Sequence, residues 1–432
     1  MSTPIGRRTF LKTAGLTAVA VSGGSLAGLP SLSVRRSHAA GKPVPVGSLL
    51  DKTGVITNYG RPNIAATEFF ISEVNAKGGL LGRPLELIQY DTQSDTAKYP
   101  EYAKKLILEN QVAVLHAGIT SASREAVRPV INEFKQLYFY NQAYEGGVCD
   151  KYVFLTGHSH APAMAVLAKH ALKNIGTKCY TIAADYNFGH IAWKWWNILW
   201  KNGGTLEPVA GAKQGQHVGK VEFIPLDVTD FNVTINRIQE AKPDVVLAQL
   251  VGSNHLNFYR QFAAAGLKSK IQVMSTSMGG GNENLYLSPK EGEGILVSTS
   301  YFDEVENPTN RALQAKMKKF MNDPNYKIGE GGVETYNGWT FWAKGVEKAG
   351  SFEREAVTKA LESGSIEFDS PLGKVKMHGP THHVVYTMYL GAINDKQGWK
   401  VLEKFTNVAP VDTMSVCDLI KNPNQHTQYQ PK

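Results

Sequence analysis

Three short segments gather the polar and aromatic side chains that could hold a small solute. They are Gly118-Ile119-Thr120-Ser121-Ala122-Ser123-Arg124, Tyr140-Asn141-Gln142-Ala143-Tyr144-Glu145 and Asp185-Tyr186-Asn187-Phe188-Gly189. Each follows an apolar run that reads as a strand, which places it at a strand's carboxyl end, where α/β sheets bind ligands. Ser121 and Ser123 stand at the start of a helix. Serine caps such an end, and the first backbone N–H groups stay available to a ligand carbonyl or carboxylate. Tyr140 and Gln142 bring a hydroxyl and an amide to the end of the next strand. Tyr186 and Phe188 form an aromatic pair that closes over a ligand or packs a rim.

Catalysis finds little support. The chain has no G-x-S-x-G elbow, no H-E-x-x-H pair and no phosphate-binding loop. His158 and His160 form an H-x-H, and His378, His382 and His383 lie close together. Histidines in such Gly- and Pro-flanked loops are more often solvated than metal-bound. The three cysteines, Cys149, Cys179 and Cys417, contain no C-x-x-C. An iron–sulfur or structural zinc site is therefore not expected. A single bridge leaves one of them free, and the pairing stays open. No enzyme activity, cofactor or metal is expected. Trp193, Trp196 and Trp200 fall on one helical face, with Trp195 between them, and read as packing.

The elements that must position these residues alternate. Val44 to Leu50 is a strand, and a helix carrying Ile64, Phe69, Phe70, Ile71 and Val74 follows, stopped at Lys77-Gly78-Gly79. Strands at 85–90, 112–116 and 136–140 alternate with helices at 99–110 and from Arg124. The pattern then repeats, with strands at 179–184, 244–250 and 271–275 and helices at 161–174, 191–200, 231–241 and 254–265. Helices at 308–321, 336–348 and 353–363 precede a β-rich tail from Gly373 to Val401. Such alternation predicts an α/β chain with two Rossmann-like lobes and parallel sheets, and a cleft between them.

At the amino end, Arg7-Arg8-Thr9-Phe10-Leu11-Lys12 precedes an apolar stretch to Leu29 and small residues at Ala39-Ala40. Charged, apolar and small residues in that order form a twin-arginine export signal, with cleavage near Ala39 or Ala40 and a periplasmic destination. Removing residues 1–40 leaves 392 residues, enough for two domains, and lowers the formal charge from +8 to +3. That balance gives no ground for nucleic-acid binding, and no later stretch would span a bilayer.

The run Asn75-Ala76-Lys77-Gly78-Gly79-Leu80-Leu81-Gly82-Arg83-Pro84, a strand, and Asp91-Thr92-Gln93-Ser94-Asp95 resemble the first lobe of the type I periplasmic binding proteins. These are substrate-capturing subunits of ABC transporters. Residues 120–131 (TSASREAVRPVI) and 139–146 (FYNQAYEG) resemble the urea and short-chain amide branch of that family. The likeness continues through 225–231, 241–252 and 301–312.

The resemblance implies two lobes joined by three crossings, lobe 1 being 41–157 with 302–365 and lobe 2 being 158–301 with 366–432. It implies closure on a ligand and a membrane permease as partner. It places Ser121, with Ser123 nearby, and Tyr140 on the ligand from one lobe, and Tyr186 and Phe188 from the other. Ile119 stands where amide binders usually carry Tyr or Trp, and Gln142 where smaller residues are common. The alternatives are a branched-chain or other amino-acid binder of the same fold, which would need an acid for the ligand's ammonium with Glu145 and Asp185 as candidates, and a ligand sensor, against which the export signal argues. Under this assignment Tyr140→Ala weakens binding strongly and Ser121→Ala modestly. Calorimetry that finds both variants as tight as the parent removes the assignment.

Overall fold

The computed structural model describes residues 41–431. The expected twin-arginine signal and cleavage site lie outside them. Among the described residues no helix is long and apolar enough to cross a membrane.

The buried run Val44–Leu50 pairs in parallel with Leu85–Asp91 on one side and Leu115–Ala117 on the other. Tyr138–Tyr140 and Val153–Leu155 extend this first set of strands. A second parallel set runs Lys178–Ala184, Val245–Gln249, Gln272–Ser275 and Leu296–Thr299. Strands buried on both faces need near-continuous apolar sequence, as Val44–Leu50 and Val245–Gln249 have, whereas the edge strand Leu85–Asp91 is buried only at Leu85. One long strand, His383–Ile393, links them. Its start pairs in parallel with Leu155, and its end runs antiparallel to Leu296–Thr299. The chain thus passes between the sets three times: after Leu155, after Thr299 and along His383–Ile393.

Residues 366–432, grouped by sequence with lobe 2, contribute to both sets. Gly373–His378 pairs with the start of His383–Ile393, Trp399–Val408 pairs along the rest of it, and His426–Gln428 pairs with Val148–Asp150 in the first half. The short strands Val148–Asp150 and Val153–Leu155 carry no periodic signal, being three residues each.

Two glycine features shape the part that holds the site. Helix Thr57–Ala76 stops where expected, with φ of +100° at Gly78 and +81° at Gly79. A Cβ on Gly79 would sit 2.0 Å from the Arg83 carbonyl oxygen. Helix Gly329–Ala349 begins well before residue 336, because its first turns contain Gly331 and Gly332 and do not read as helix. Those glycines are there for contact: a Cβ on Gly331 would lie 2.9 Å from Asn63 Oδ1 and 3.0 Å from the Gly280 carbonyl oxygen.

The tryptophan helix, Asn187–Lys201, buries Trp195, Trp196 and Trp200 in the second core, with Trp193 only packed against its edge. Cys149 and Cys417 form a disulfide across 268 residues, and Cys179 is a buried free thiol pushed up to about 12 by burial. The bridge ties the carboxyl tail to strand Val148–Asp150. Cys149→Ser with Cys417→Ser should lower unfolding free energy by about 2–4 kcal/mol in chemical denaturation. An unchanged midpoint would mean that the tail is held by its strand pairing alone.

Candidate functional site

Ile119, Ser121, Tyr140, Gln142, Tyr186 and Phe188 all line one cavity of about 50 Å³ between the two sets of strands. The helix at its edge, Ser121–Phe134, is capped by Thr120, whose Oγ1 accepts the Ser123 N–H at 3.1 Å. The cap is thus the threonine and not the serines. It leaves the N–H groups of Ser121 and Ala122 uncovered. Gly118, at φ +87°, makes the turn from strand to helix; a Cβ there would crowd Ser123 Oγ at 3.1 Å and the Tyr140 ring at 3.2 Å.

Two expected residues are not in the lining. Ser123 lies two positions beyond Ser121 and so on another helical face. It is buried, and its hydroxyl donates to the Thr120 carbonyl at 2.7 Å. Asp185 continues the extended strand, its N–H donating to the Ile224 carbonyl, so alternation turns its side chain away from that of Tyr186. It is exposed and pairs with His190 Nε2 at 2.9 Å. Glu145 is buried but also absent from the lining. It accepts from Arg124 Nη2 at 2.6 Å, and the Ser121 hydroxyl donates to its other oxygen.

Arg124 is fully buried. Its guanidinium carbon lies 5.1 Å from the Tyr140 ring centre and 4.8 Å from that of Tyr144. The charge on that wall is therefore matched within the protein.

The acids that do face the cavity come from the glycine-rich helix. Glu330 and Glu334, one turn apart, line its floor. One oxygen of each is held by the protein: Glu330 Oε1 accepts the Ser300 N–H at 3.0 Å, and Glu334 Oε1 accepts the His158 N–H at 3.1 Å. Glu334 Oε2 is buried with no partner among the described residues. Burial pushes both carboxyls up to about 8, helped at Glu330 by its neighbour Glu334. His158 Nδ1 lies 2.9 Å from Glu334 and 3.4 Å from Glu330, and burial holds its pKa below the ordinary value. These three are the one group among the described residues with ligand atoms close enough for a metal. Their inner oxygens already accept protein hydrogens. His160 faces the cavity separately, with Nδ1 2.6 Å from Thr276 Oγ1.

The cavity's hydrogen-bonding capacity is lopsided. The Ser121 hydroxyl gives its hydrogen to Glu145, the Tyr140 hydroxyl to the Ile119 carbonyl at 2.7 Å, and the Gln142 amide to the Asn141 carbonyl at 3.1 Å. What the two hydroxyls still offer is oxygen lone pairs, while Gln142 keeps its carbonyl oxygen and its second amide hydrogen. Together with the two glutamates they face the cavity with oxygen lone pairs; the donors there are the Ser121 amide, the second Gln142 amide hydrogen, the Tyr186 hydroxyl and the acid hydrogens that Glu330 and Glu334 carry when protonated.

Both glutamates keep protons in the folded chain that they would release on unfolding in neutral solution. Stability therefore falls as pH rises from the ordinary carboxylate range to about 8. The melting temperature should drop between pH 5 and pH 9, and the double variant Glu330→Gln, Glu334→Gln should flatten that drop. Parallel curves for both proteins would contradict the assignment. Separately, Arg124→Ala leaves Glu145 buried without its partner and should cost about 3–5 kcal/mol, read by denaturant unfolding. A loss below about 1 kcal/mol, the range of an exposed pair, would show that the pair is not buried as described.

Comparison with known proteins agrees with this architecture. A family model described as periplasmic binding protein matches residues 43–398. The chain is 21% identical over 426 residues to the Leu/Ile/Val-binding protein homolog 4 of Brucella abortus (strain 2308), covering 92% of this chain and 98% of that one. It is 25% identical over 330 residues to the leucine-, isoleucine-, valine-, threonine- and alanine-binding protein of Pseudomonas aeruginosa, covering 75% and 82%. Among solved structures, a solute-binding protein of an ABC transporter from Rhodopseudomonas palustris HaA2, in complex with p-hydroxybenzoic acid, superposes with TM-score 0.75 at 22% identity, covering 86% of this chain and all of that one. An amino acid ABC transporter substrate-binding protein from Pseudomonas fluorescens Pf-5 gives TM-score 0.75 at 19% identity, covering 88% and 100%. At these identities the structures speak to fold alone. With the family model spanning most of its length, the chain belongs to the periplasmic binding protein family.

Proposed function

We propose that this protein is the solute-capturing subunit of an ABC importer for a urea-like or short-chain amide solute. It is exported to the periplasm by the twin-arginine route, hands its solute to a membrane permease and does no chemistry. A lobe built on 41–157 and 302–365 closes against one built on 158–301, and His383–Ile393 serves as part of the hinge.

The observation that carries this reading is the surplus of acceptors. The Ser121 and Tyr140 hydroxyls spend their hydrogens inside the protein, Gln142 spends one of its two amide hydrogens, and Glu330 and Glu334 turn toward the cavity. A solute there must bring N–H groups, because a buried acceptor left unpaired costs about 1–3 kcal/mol. An amide meets both halves of the site, with N–H groups toward the glutamates and a carbonyl toward the uncovered Ser121 amide. A carboxylate has few donors to meet and no unmatched cation. Size supports the same class. A cavity of about 50 Å³ holds roughly 3–5 water-sized positions, which suits a solute of a few heavy atoms. Contacts from both sides exist only in the closed form, so binding shifts the equilibrium toward closure.

A small amino acid is the second reading, favoured by the same two glutamates and by what the relatives' names say those proteins bind. Glu330 and Glu334 would then pair the ammonium, the role for which Asp185 and Glu145 were the candidates. The two readings separate on charge. An ammonium needs an ionised acid, whereas an amide N–H binds a neutral one. In calorimetry at pH 7, the double variant Glu330→Gln, Glu334→Gln should keep its affinity for urea or acetamide within a few-fold. It should lose alanine binding by about 100-fold or more if alanine binds the parent. Loss of amide binding in that variant, or a parent that binds 4-hydroxybenzoate but no amide, would overturn the proposal.

A further inference from the structure

The cavity just described does not fill the space between the two sets of strands. A second cavity, of about 240 Å³, lies beside it. The two linings have one residue in common, Tyr186. Successive residues at the start of the helix divide between them. Ile119 and Ser121 face the inner cavity, and Thr120 and Ala122 face the outer one. Tyr186 comes from the opposite set of strands and meets this helix start, so its ring stands as a partition.

Its position is set by backbone. Tyr186 is extended, at φ −158°, between strand Lys178–Ala184 and helix Asn187–Lys201, and its N–H donates to the Ala184 carbonyl at 3.0 Å. Its ring centre lies 5.8 Å from that of Phe188, which is buried. No hydrogen bond among the described residues holds the hydroxyl, so the ring and not the oxygen makes the division.

The outer cavity differs in chemistry. Val55, Ile56, Ala122 and Leu226 supply apolar walls. Its buried acid, Asp51, is already satisfied by the Tyr99 hydroxyl at 2.5 Å, the Thr92 hydroxyl at 2.8 Å and the Ser94 N–H at 2.7 Å. This space offers apolar surface and little free polar capacity, which suits an alkyl chain and not a second polar head.

We propose that Tyr186 is the size-determining residue of this protein: its ring confines the solute to the inner cavity, and the space behind it is an alkyl subsite from which the ring excludes the solute's tail. The proposal rests on the solute-capture reading above, but not on the solute being an amide. Removing the ring should admit longer solutes, and removing only the hydroxyl should not.

The test is calorimetry on the parent, Tyr186→Ala and Tyr186→Phe with two homologous series. One series is acetamide, butyramide and hexanamide; the other is alanine, norvaline and 2-aminoheptanoate. In whichever series binds, the parent and Tyr186→Phe should lose affinity as the chain lengthens. Tyr186→Ala should gain at least ten-fold for the longest member relative to the shortest. The same length profile in all three proteins would overturn the partition. Binding of the amino acids but not the amides would remove the amide reading and leave the partition to be judged in that series. If neither series binds, a crystal structure of Tyr186→Ala decides. One continuous cavity upholds the partition, and two separate cavities overturn it.

Discussion

The buried guanidinium of Arg124 is the constraint on which the site depends. A charge with no exposure must be matched, and Glu145 matches it at 2.6 Å. Once that pair is fixed, much else follows. The other Glu145 oxygen takes the Ser121 hydroxyl hydrogen, and the rings of Tyr140 and Tyr144 flank the cation. The tail is drawn in as well, since Gln428 donates to Glu145 Oε1 and to the Gly146 carbonyl. The pair itself is kept out of the cavity. It takes the Ser121 hydrogen and leaves that hydroxyl an acceptor toward the cavity.

The opposite side works by a different rule. Glu330 and Glu334 sit where water is scarce and no arginine answers them, so burial favours their protonated forms. They can lie there only because glycines let their helix press against helix Thr57–Ala76 and the Gly280 turn. One wall holds a matched charge, the other holds acids without a counter-cation. A small solute rich in N–H groups complements that combination.

The sequence made the fold legible and half the site with it. Strand ends are marked by where apolar runs stop, and that placed Ile119, Ser121, Tyr140, Gln142, Tyr186 and Phe188 at one cleft. Periodicity does not say which way a side chain points after the last strand residue. Asp185 and Ser123 were therefore expected at the site, and each faces away by one step of strand or helix geometry. Glu330 and Glu334 were missed for a clearer reason. They sit in a Gly-Glu-Gly-Gly segment that has poor helix propensity, and tertiary contact makes it helical. A pair of acids four residues apart beside glycines was the available signal. The pairing of Cys149 with Cys417 was also out of reach, because it depends on a tail that returns to pair with Val148–Asp150.

The central claim is that the cavity, with its two acids neutral, offers oxygen lone pairs to a solute's N–H groups and donors to its carbonyl. Titration calorimetry of acetamide into the parent protein at pH 7, repeated in buffers of different ionisation enthalpy, addresses it most directly. The account predicts binding with the same enthalpy in each buffer, because no proton leaves the glutamates. Binding accompanied by release of a proton, or no amide binding in a protein that takes up a carboxylate, would contradict it.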